Sequence, residues 1–255
     1  MSVRSPWPVW PFPRWIAHRG AGKLAPENTL AAFRLGASWG YRAFECDVKL
    51  SADELPFLLH DATLDRTSNG HGPASDRPWV ELSQLDAGRW HSPAYAGESL
   101  PTLQAITRYV QHNGLALNLE IKPTPGQEYR TGEVVGQACT ALWAGSDTAL
   151  LFSSFRPEAL QGAKDSAPHI ARALLVDTLW LGWLQMAQRL ACVAVVSNHQ
   201  LMDAALIEQL HAAGLRALCY TVNEEIDVRR LLDLGIDGII TDAVDRFDPE
   251  TGRAR

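Results

Sequence analysis

Gly40-Tyr41-Arg42-Ala43-Phe44-Glu45-Cys46-Asp47-Val48 reads as a helix-ending glycine followed by a short apolar strand with two carboxylates near its end. The same unit recurs at Gly114-Leu115-Ala116-Leu117-Asn118, Gly214-Leu215-Arg216-Ala217-Leu218 and Gly235-Ile236-Asp237-Gly238-Ile239. Between such units lie stretches of helical period. Leu103, Ile106 and Val110 share one helix face, as do Val134, Ala138 and Leu142, and Leu206, Leu210 and Ala213. Asn28, Asp203 and Asn223 are placed to cap helices. Strands are expected at 16–18, 42–48, 116–121, 149–153, 170–176, 192–197, 216–222 and 237–241. Eight strands alternating with helices predict a closed parallel α/β barrel, a (β/α)8 TIM-type fold, whose functional side chains sit at the C-terminal ends of the strands. A doubly wound open sheet is the alternative, but no glycine-rich dinucleotide fingerprint follows the first strand.

Working outward, the strand ends carry groups that packing does not explain. Glu45 and Asp47 share one face by the two-residue period, as do Glu120 and Lys122, while Phe44, Cys46, Val48, Leu119 and Ile121 take the other. His18 and Arg19 end the first strand, and His60 ends the run Phe57-Leu58-Leu59. Burying so many charges is expensive unless they pair with one another, a metal or a ligand.

The run Pro56 to His60 follows Asp47 too closely for a crossover helix. It is expected to fold back as a hairpin turning at Asp53-Glu54, with Asp47 opposite His60. Residues 61–100 are rich in Gly, Pro, Ser and Asp and are too long for an ordinary connection. They are expected to form an insertion capping one side of the barrel mouth, within a single domain spanning residues 1–255.

The chain has 255 residues, 46% of them hydrophobic, enough for one large core. Its net charge of -6, with no long basic run, argues against a nucleic-acid partner. Cys46, Cys139, Cys192 and Cys219 lie far apart without metal-ligand spacing, so they read as reduced core thiols of a cytoplasmic protein. The N-terminus interleaves Pro6, Pro8, Pro11 and Pro13 with Trp7, Trp10 and Phe12, unlike an export signal. No apolar run reaches the roughly 18 residues needed to span a bilayer, because Asp177 and Gln185 interrupt the richest stretch, Leu174 to Leu190. That stretch crowds Leu179, Trp180, Leu181, Trp183 and Leu184 together. It is expected to form a helix tucked under its neighbours, with a homodimer contact as the alternative.

Glu45, Asp47 and Glu120 offer hard oxygen ligands, which suit one divalent cation, Mg²⁺ or Ca²⁺. A purely structural network with Arg19 and Lys122 is the competing reading. His18 and His60 suit general acid and base work near neutral pH. His199, after Ser197-Asn198 at a strand end, is a further candidate for the pocket wall. A metal with Arg19 and Lys122 gathers three positive charges, which is what a phosphodiester needs as charge builds on its oxygens. No Ser or Cys nucleophile and no P-loop is evident, so attack by water or by a substrate hydroxyl is left.

In order along the chain, Ala17-His18-Arg19-Gly20, Pro26-Glu27-Asn28-Thr29, Glu45-Cys46-Asp47-Val48, His60-Asp61, Leu64-Asp65-Arg66-Thr67, Leu100-Pro101-Thr102-Leu103, Glu120-Ile121-Lys122, Thr221-Val222-Asn223 and Asp237-Gly238-Ile239-Ile240-Thr241-Asp242 resemble the motifs of the glycerophosphodiester phosphodiesterase family, most closely its bacterial cytoplasmic branch. The resemblance implies a TIM-type barrel with an insertion after the second strand, and hydrolysis of small glycerophosphodiesters to sn-glycerol 3-phosphate and an alcohol. It also implies His18 and His60 as the acid/base pair, Glu45, Asp47 and Glu120 as Mg²⁺ or Ca²⁺ ligands, and Arg19 and Lys122 as phosphate contacts. In the family mechanism the neighbouring glycerol hydroxyl attacks phosphorus and water then opens a cyclic phosphate.

Two positions depart from the family pattern. Asp53-Glu54 lacks the usual glycine of the hairpin tip, and Tyr220 stands where the family often has tryptophan. Two rival readings are a phospholipase acting on lysophospholipids or phosphoinositides and a non-catalytic protein that binds a phosphorylated metabolite. No basic amphipathic helix or lipidation signal supports a membrane partner.

Overall fold

In the computed structural model, which describes residues 10–252, the parallel strands close on themselves. Along the chain they are β1 (Trp15–Ala17), β2 (Ala43–Leu50), β4 (Ala116–Ile121), β5 (Leu150–Ser154), β6 (Ala171–Val176), β7 (Ala194–Asn198), β8 (Arg216–Tyr220) and β9 (Gly238–Thr241), with β3 (Pro56–Leu58) as a hairpin partner of β2. Each parallel strand pairs with the next, and β1 pairs with both β9 and β2, closing the barrel. All eight expected barrel strands are present. The helices between them are α1 (Leu30–Ser38), α2 (Trp79–Leu82), α3 (Leu103–His112), α4 (Glu128–Leu142), α5 (Pro157–Ser166), α6 (Trp183–Arg189), α7 (Ala204–Ala212) and α8 (Glu225–Asp233).

The two faces of each strand serve two cores, as the period of two requires. Phe44, Cys46, Val48, Leu117, Leu119 and Ile121 pack outward against the helices. Ile16, Ala43, Leu151, Ala173, Val196 and Leu218 fill the barrel interior, with Phe12 among them. The rest of the N-terminal reading, on residues 1–9, lies outside the described residues. Cys46, Cys139, Cys192 and Cys219 are all buried and free.

Local signals explain most boundaries and correct several expectations. Asp203 caps α7 by accepting from Leu206 N at 2.8 Å. Thr29, not Asn28, caps α1, and Glu224 occupies the cap position of α8 in place of Asn223. Both asparagines are taken up by the site described below. On α4 the face carrying Val134, Ala138 and Leu142 is only half-buried, while Thr131, Gly132, Val135, Gly136 and Cys139 are buried. Close packing turns that helix: a Cβ on Gly132 would lie 1.9 Å from the Ala159 carbonyl oxygen of α5.

The β2–β3 hairpin forms one residue out of the expected register. Val48 pairs with Leu58 and Leu50 with Pro56, and Leu59 N donates to the Asp47 carbonyl at 3.1 Å, so Leu59 takes the place expected for His60. The turn is a three-residue loop whose last residue, Glu54, adopts φ 58°. Arg130 grips the Glu54 carboxylate at 2.9 and 2.7 Å, which holds a non-glycine residue in the left-handed region.

Within residues 61–100, Leu64, Ala74, Leu82, Ala87 and Leu100 build a small core of their own with Phe57 and Leu59. Glu98 accepts from Ala31 N at the start of α1 at 3.1 Å. In the stretch 174–190, α6 buries Trp183 and Ala187, as a tucked helix should. The turn ahead of it does not follow: Leu179, Trp180 and Leu181 are exposed. Among the described residues no helix is long and apolar enough to cross a membrane.

Candidate active site

At the C-terminal ends of the strands a cavity of about 240 Å³ opens, lined by His18, Arg19, Glu45, His60, Glu120 and Lys122 among others. Asp47 lies against this group, 1% exposed. β2 and β4 run in register, Glu45 beside Asn118 and Asp47 beside Glu120. Parallel partners point to the same side of a sheet, so the three carboxylates converge. One oxygen from each of Glu45, Asp47 and Glu120 lies within 4.8 Å of the others.

Burial and mutual repulsion set the electrostatics. Burial, with the charges of Asp47 and Glu120, pushes Glu45 well above the usual carboxylate range. Burial and Asp47 likewise push Glu120 to about 7 despite Lys122. Burial acts the same way on Asp47, but Arg19, Lys122, His60 and a hydrogen bond from Asn28 hold it below its ordinary value. Lys122 Nζ lies 2.8 Å from Glu120 Oε1 and 3.7 Å from Asp47 Oδ1. Burial opposes its charge, yet Asp47 and Glu120 raise its pKa.

The donor set fits a hard divalent cation. It is all oxygen, and Glu45 Oε1 and Asp47 Oδ1 are buried without hydrogen-bond partners among the described residues. A network of purely structural pairs would have hydrogen-bonded both atoms, whereas Asp47 Oδ1 has only the 3.7 Å contact with Lys122 Nζ.

The two histidines are mounted alike. His18 Nδ1 lies 2.6 Å from Asp242 Oδ1, and His60 Nδ1 lies 2.7 Å from Asp61 Oδ1. Each pairing fixes the ring and leaves Nε2 for chemistry. His18 Nε2 is 3.7 Å from Glu45 Oε2. Burial lowers the pKa of His60, only partly countered by Asp47, with Arg19 and Lys122 adding to the drop. Asp61 is held below its ordinary value chiefly by a hydrogen bond from Arg66, helped by His60.

Arg19 sits in a tight turn at φ 49°. Its backbone N–H donates to Glu45 Oε2 at 3.1 Å and its Nη1 to Glu27 at 2.8 Å, while Nε lies 3.3 Å from Asp47. Gly20 follows at φ 101°, where a Cβ would lie 2.7 Å from that of Ala32, so α1 can press against the turn.

Several supporting residues are not among the site residues expected from the sequence, and two of them, Asn28 and Asn223, are expected there as helix caps. Asn28 clamps Asp47, donating to its carboxylate at 2.8 Å and accepting from its backbone at 3.0 Å. Asn223 accepts from Asp242 N at 2.9 Å. Arg66 bridges Glu27 at 2.7 Å and Asp61 at 2.7 Å, and so joins the Arg19 side of the mouth to the His60 side. Lys49, on the same face of β2 as Asp47, is 5% exposed and donates to the Lys122 carbonyl. Their signal was position: each stands inside a quoted motif or two residues along a strand from a site group. His199 does not reach the cavity. Its Nδ1 lies 3.6 Å from Asp227 of α8, and its carbonyl accepts from Arg230. Tyr220 does line the cavity and meets Phe155 edge-on at 5.8 Å between ring centres.

Comparison with known proteins agrees with this geometry. The pattern of the glycerophosphoryl diester phosphodiesterase family matches residues 18–246. A glycerophosphodiester phosphodiesterase of Caldanaerobacter subterraneus is 32% identical over 240 residues, covering 92% of this chain and 94% of the relative. A phosphodiesterase of Oleispira antarctica, solved with its product sn-glycerol-3-phosphate, is 35% identical with a TM-score of 0.85, covering 94% of this chain and 95% of that one. The crystal structure of a glycerophosphodiester phosphodiesterase from Agrobacterium tumefaciens is 27% identical with a TM-score of 0.77, covering 92% of this chain and 98% of that one. With the ordered motifs, the barrel and the match over 18–246 in agreement, the chain belongs to the glycerophosphoryl diester phosphodiesterase family.

Proposed function

We propose that the chain hydrolyses glycerophosphodiesters to sn-glycerol 3-phosphate and an alcohol, with His18 and His60 as the acid/base pair. The observation that carries this reading is two histidines, each held through Nδ1 by an aspartate, beside three converging carboxylates and two cations. His60, disposed by burial to stay neutral, takes the proton from the glycerol hydroxyl next to the phosphate. That oxygen attacks phosphorus, the bond from phosphorus to the alcohol oxygen breaks, and His18 protonates the departing oxygen. The roles then reverse: His18 takes a proton from water, the water oxygen opens the cyclic phosphate, and His60 returns a proton to the glycerol hydroxyl. Arg19 and Lys122 bind the phosphoryl oxygens as charge develops on them. Glu45, Asp47 and Glu120 would hold one divalent cation, Mg²⁺ or Ca²⁺, which when bound supplies further positive charge beside those oxygens. Residues 61–100 cover one side of the mouth within the one catalytic domain.

The test is His18→Ala and His60→Ala. Each is expected to remove turnover by at least about 10²-fold while far-UV circular dichroism stays unchanged. Turnover by either variant at the wild-type rate would sink the acid/base assignment.

One observation favours a second reading. Leu179, Trp180 and Leu181 are exposed in the turn after β6, at the mouth end of the barrel, where a lipid tail or a second copy of the chain would meet them. Lysophospholipid hydrolysis together with sedimentation on liposomes would support a lipid substrate, and a dimer lost on Leu181→Asp would support the homodimer. The four buried free thiols fit a reducing, cytoplasmic setting.

A further inference from the structure

Below the carboxylates the cavity ends on two polar side chains that no described residue satisfies. Asn118 precedes Glu120 by two residues on β4 and therefore points into the barrel. Ser153, on β5, is the register partner of Glu120. Both line the cavity and both are 0% exposed. Asn118 Nδ2, Asn118 Oδ1 and Ser153 Oγ have no hydrogen-bond partner among the described residues. Further toward the starts of the same strands lie the apolar Ala116 and Leu151, with Ala43 of β2 beside them, so among the described residues no polar group waits there to pair with them. Buried polar groups are rarely left in this state, because an unpaired one keeps the full penalty of losing water.

We propose that Asn118 and Ser153 form a hydroxyl-binding floor that takes the terminal hydroxyl of the glycerol unit, so that the substrate enters glycerol first. This inference rests on the hydrolytic reading above. An amide offers donors and an acceptor, and a serine hydroxyl offers one of each, which is the complement of an alcohol. The floor is neutral, whereas the cations suited to phosphate, Arg19 and Lys122, pair with the carboxylates above it. The glycerol unit is common to every substrate of the reaction and the alcohol is not, so the enclosed end suits glycerol and the open end suits the variable group. The terminal hydroxyl takes no part in bond making. Its recognition therefore sets specificity without altering the chemistry.

The experiment compares kcat/KM for glycerophosphoethanolamine with that for its 1-deoxy analogue, in which propane-1,2-diol replaces glycerol and the attacking hydroxyl is kept. Wild type, Asn118→Leu and Ser153→Ala are each measured with metal present. Wild type is expected to prefer the glycerol diester by at least about tenfold, the ratio that about 1.4 kcal/mol gives. Asn118→Leu should lose most of that preference, because an apolar floor no longer leaves groups unpaired when the hydroxyl is missing. Ser153→Ala should lose part of it.

Equal wild-type rates on the two diesters would overturn the inference, and so would an undiminished preference in the variants, even if both rates fell together. If Asn118→Leu does not fold, the wild-type ratio and Ser153→Ala decide. Release of product without discrimination overturns the floor alone, whereas no release from either diester overturns the hydrolytic reading and the floor with it.

Discussion

Asp242 Oδ1 and His18 Nδ1 are 2.6 Å apart, across 224 residues of sequence. β9 and β1 are neighbours in the closed barrel, so closure itself brings the two residues together. The aspartate fixes which ring nitrogen faces the cavity. Asp242→Asn is expected to lower kcat by about 10- to 10³-fold with little change in KM, in keeping with the size of general acid/base effects. A KM rise at constant kcat would show that Asp242 serves binding instead.

The same pair contributes acid sensitivity. Burial tends to raise the pKa of Asp242, but the hydrogen bond and charge of His18, with Asn223, hold it below the ordinary carboxylate value. The folded state therefore binds fewer protons than the unfolded chain, so this contribution is present above the unfolded pKa and is lost as pH falls through the folded one. In urea melts, the stability difference between wild type and Asp242→Asn should shrink as pH drops below about 4. A difference that stays constant from pH 7 to pH 3 would contradict this.

Glu45 and Glu120 have the opposite sign. In the metal-free protein their folded pKa values are raised, that of Glu120 to about 7. The folded state then binds more protons than the unfolded, so stability falls as pH rises from the unfolded value through about 7. A divalent cation needs both carboxylates ionised, so its binding should release protons below pH 7 and tighten with rising pH. Calorimetry in buffers of different ionisation enthalpy reads the protons directly. Glu45→Gln should weaken binding and release fewer, and binding without any proton release at pH 6 would refute the picture.

His60 should titrate below the ordinary imidazole value of about 6.5, because burial, Arg19 and Lys122 outweigh Asp47. Its imidazole then stays neutral to lower pH, which extends base catalysis downward. Proton NMR of the metal-free protein should place its midpoint below 6.5, and Lys122→Met should move that midpoint up. A midpoint above 7 in wild type would reassign the base.

Arg66 touches neither histidine, yet it spans Glu27 and Asp61. Arg66→Met is expected to lower kcat/KM by roughly tenfold through misplacement of Arg19 and His60, with effective molarity as the cause. Because its side chain is 44% exposed, the melting temperature should move little. A large loss of stability with unchanged kinetics would make the bridge merely structural.

The barrel was legible because period-two strands and helix-ending glycines are local signals, and the chemistry stood out as charges where apolar residues belong. What escaped was set by tertiary geometry. Asn28 looked like a helix cap because caps and carboxylate clamps use the same amide, and only the approach of β2 shows which one it serves. His199 sits at a strand end, but α8 draws its ring toward Asp227. The hairpin register depended on Glu54 accepting a positive φ, which its side chain resists and Arg130 secures. Asn118 and Ser153 offered only their places on strands, since an unpaired buried amide is recognisable only once its surroundings are known.

The most direct measurement of the central claim is release of sn-glycerol 3-phosphate from glycerophosphoethanolamine by the purified protein, stripped with a chelator and then resupplied with Mg²⁺ or Ca²⁺. The account predicts no release after stripping and recovery with at least one of the two ions. Full release after stripping, or none with either ion, would contradict it.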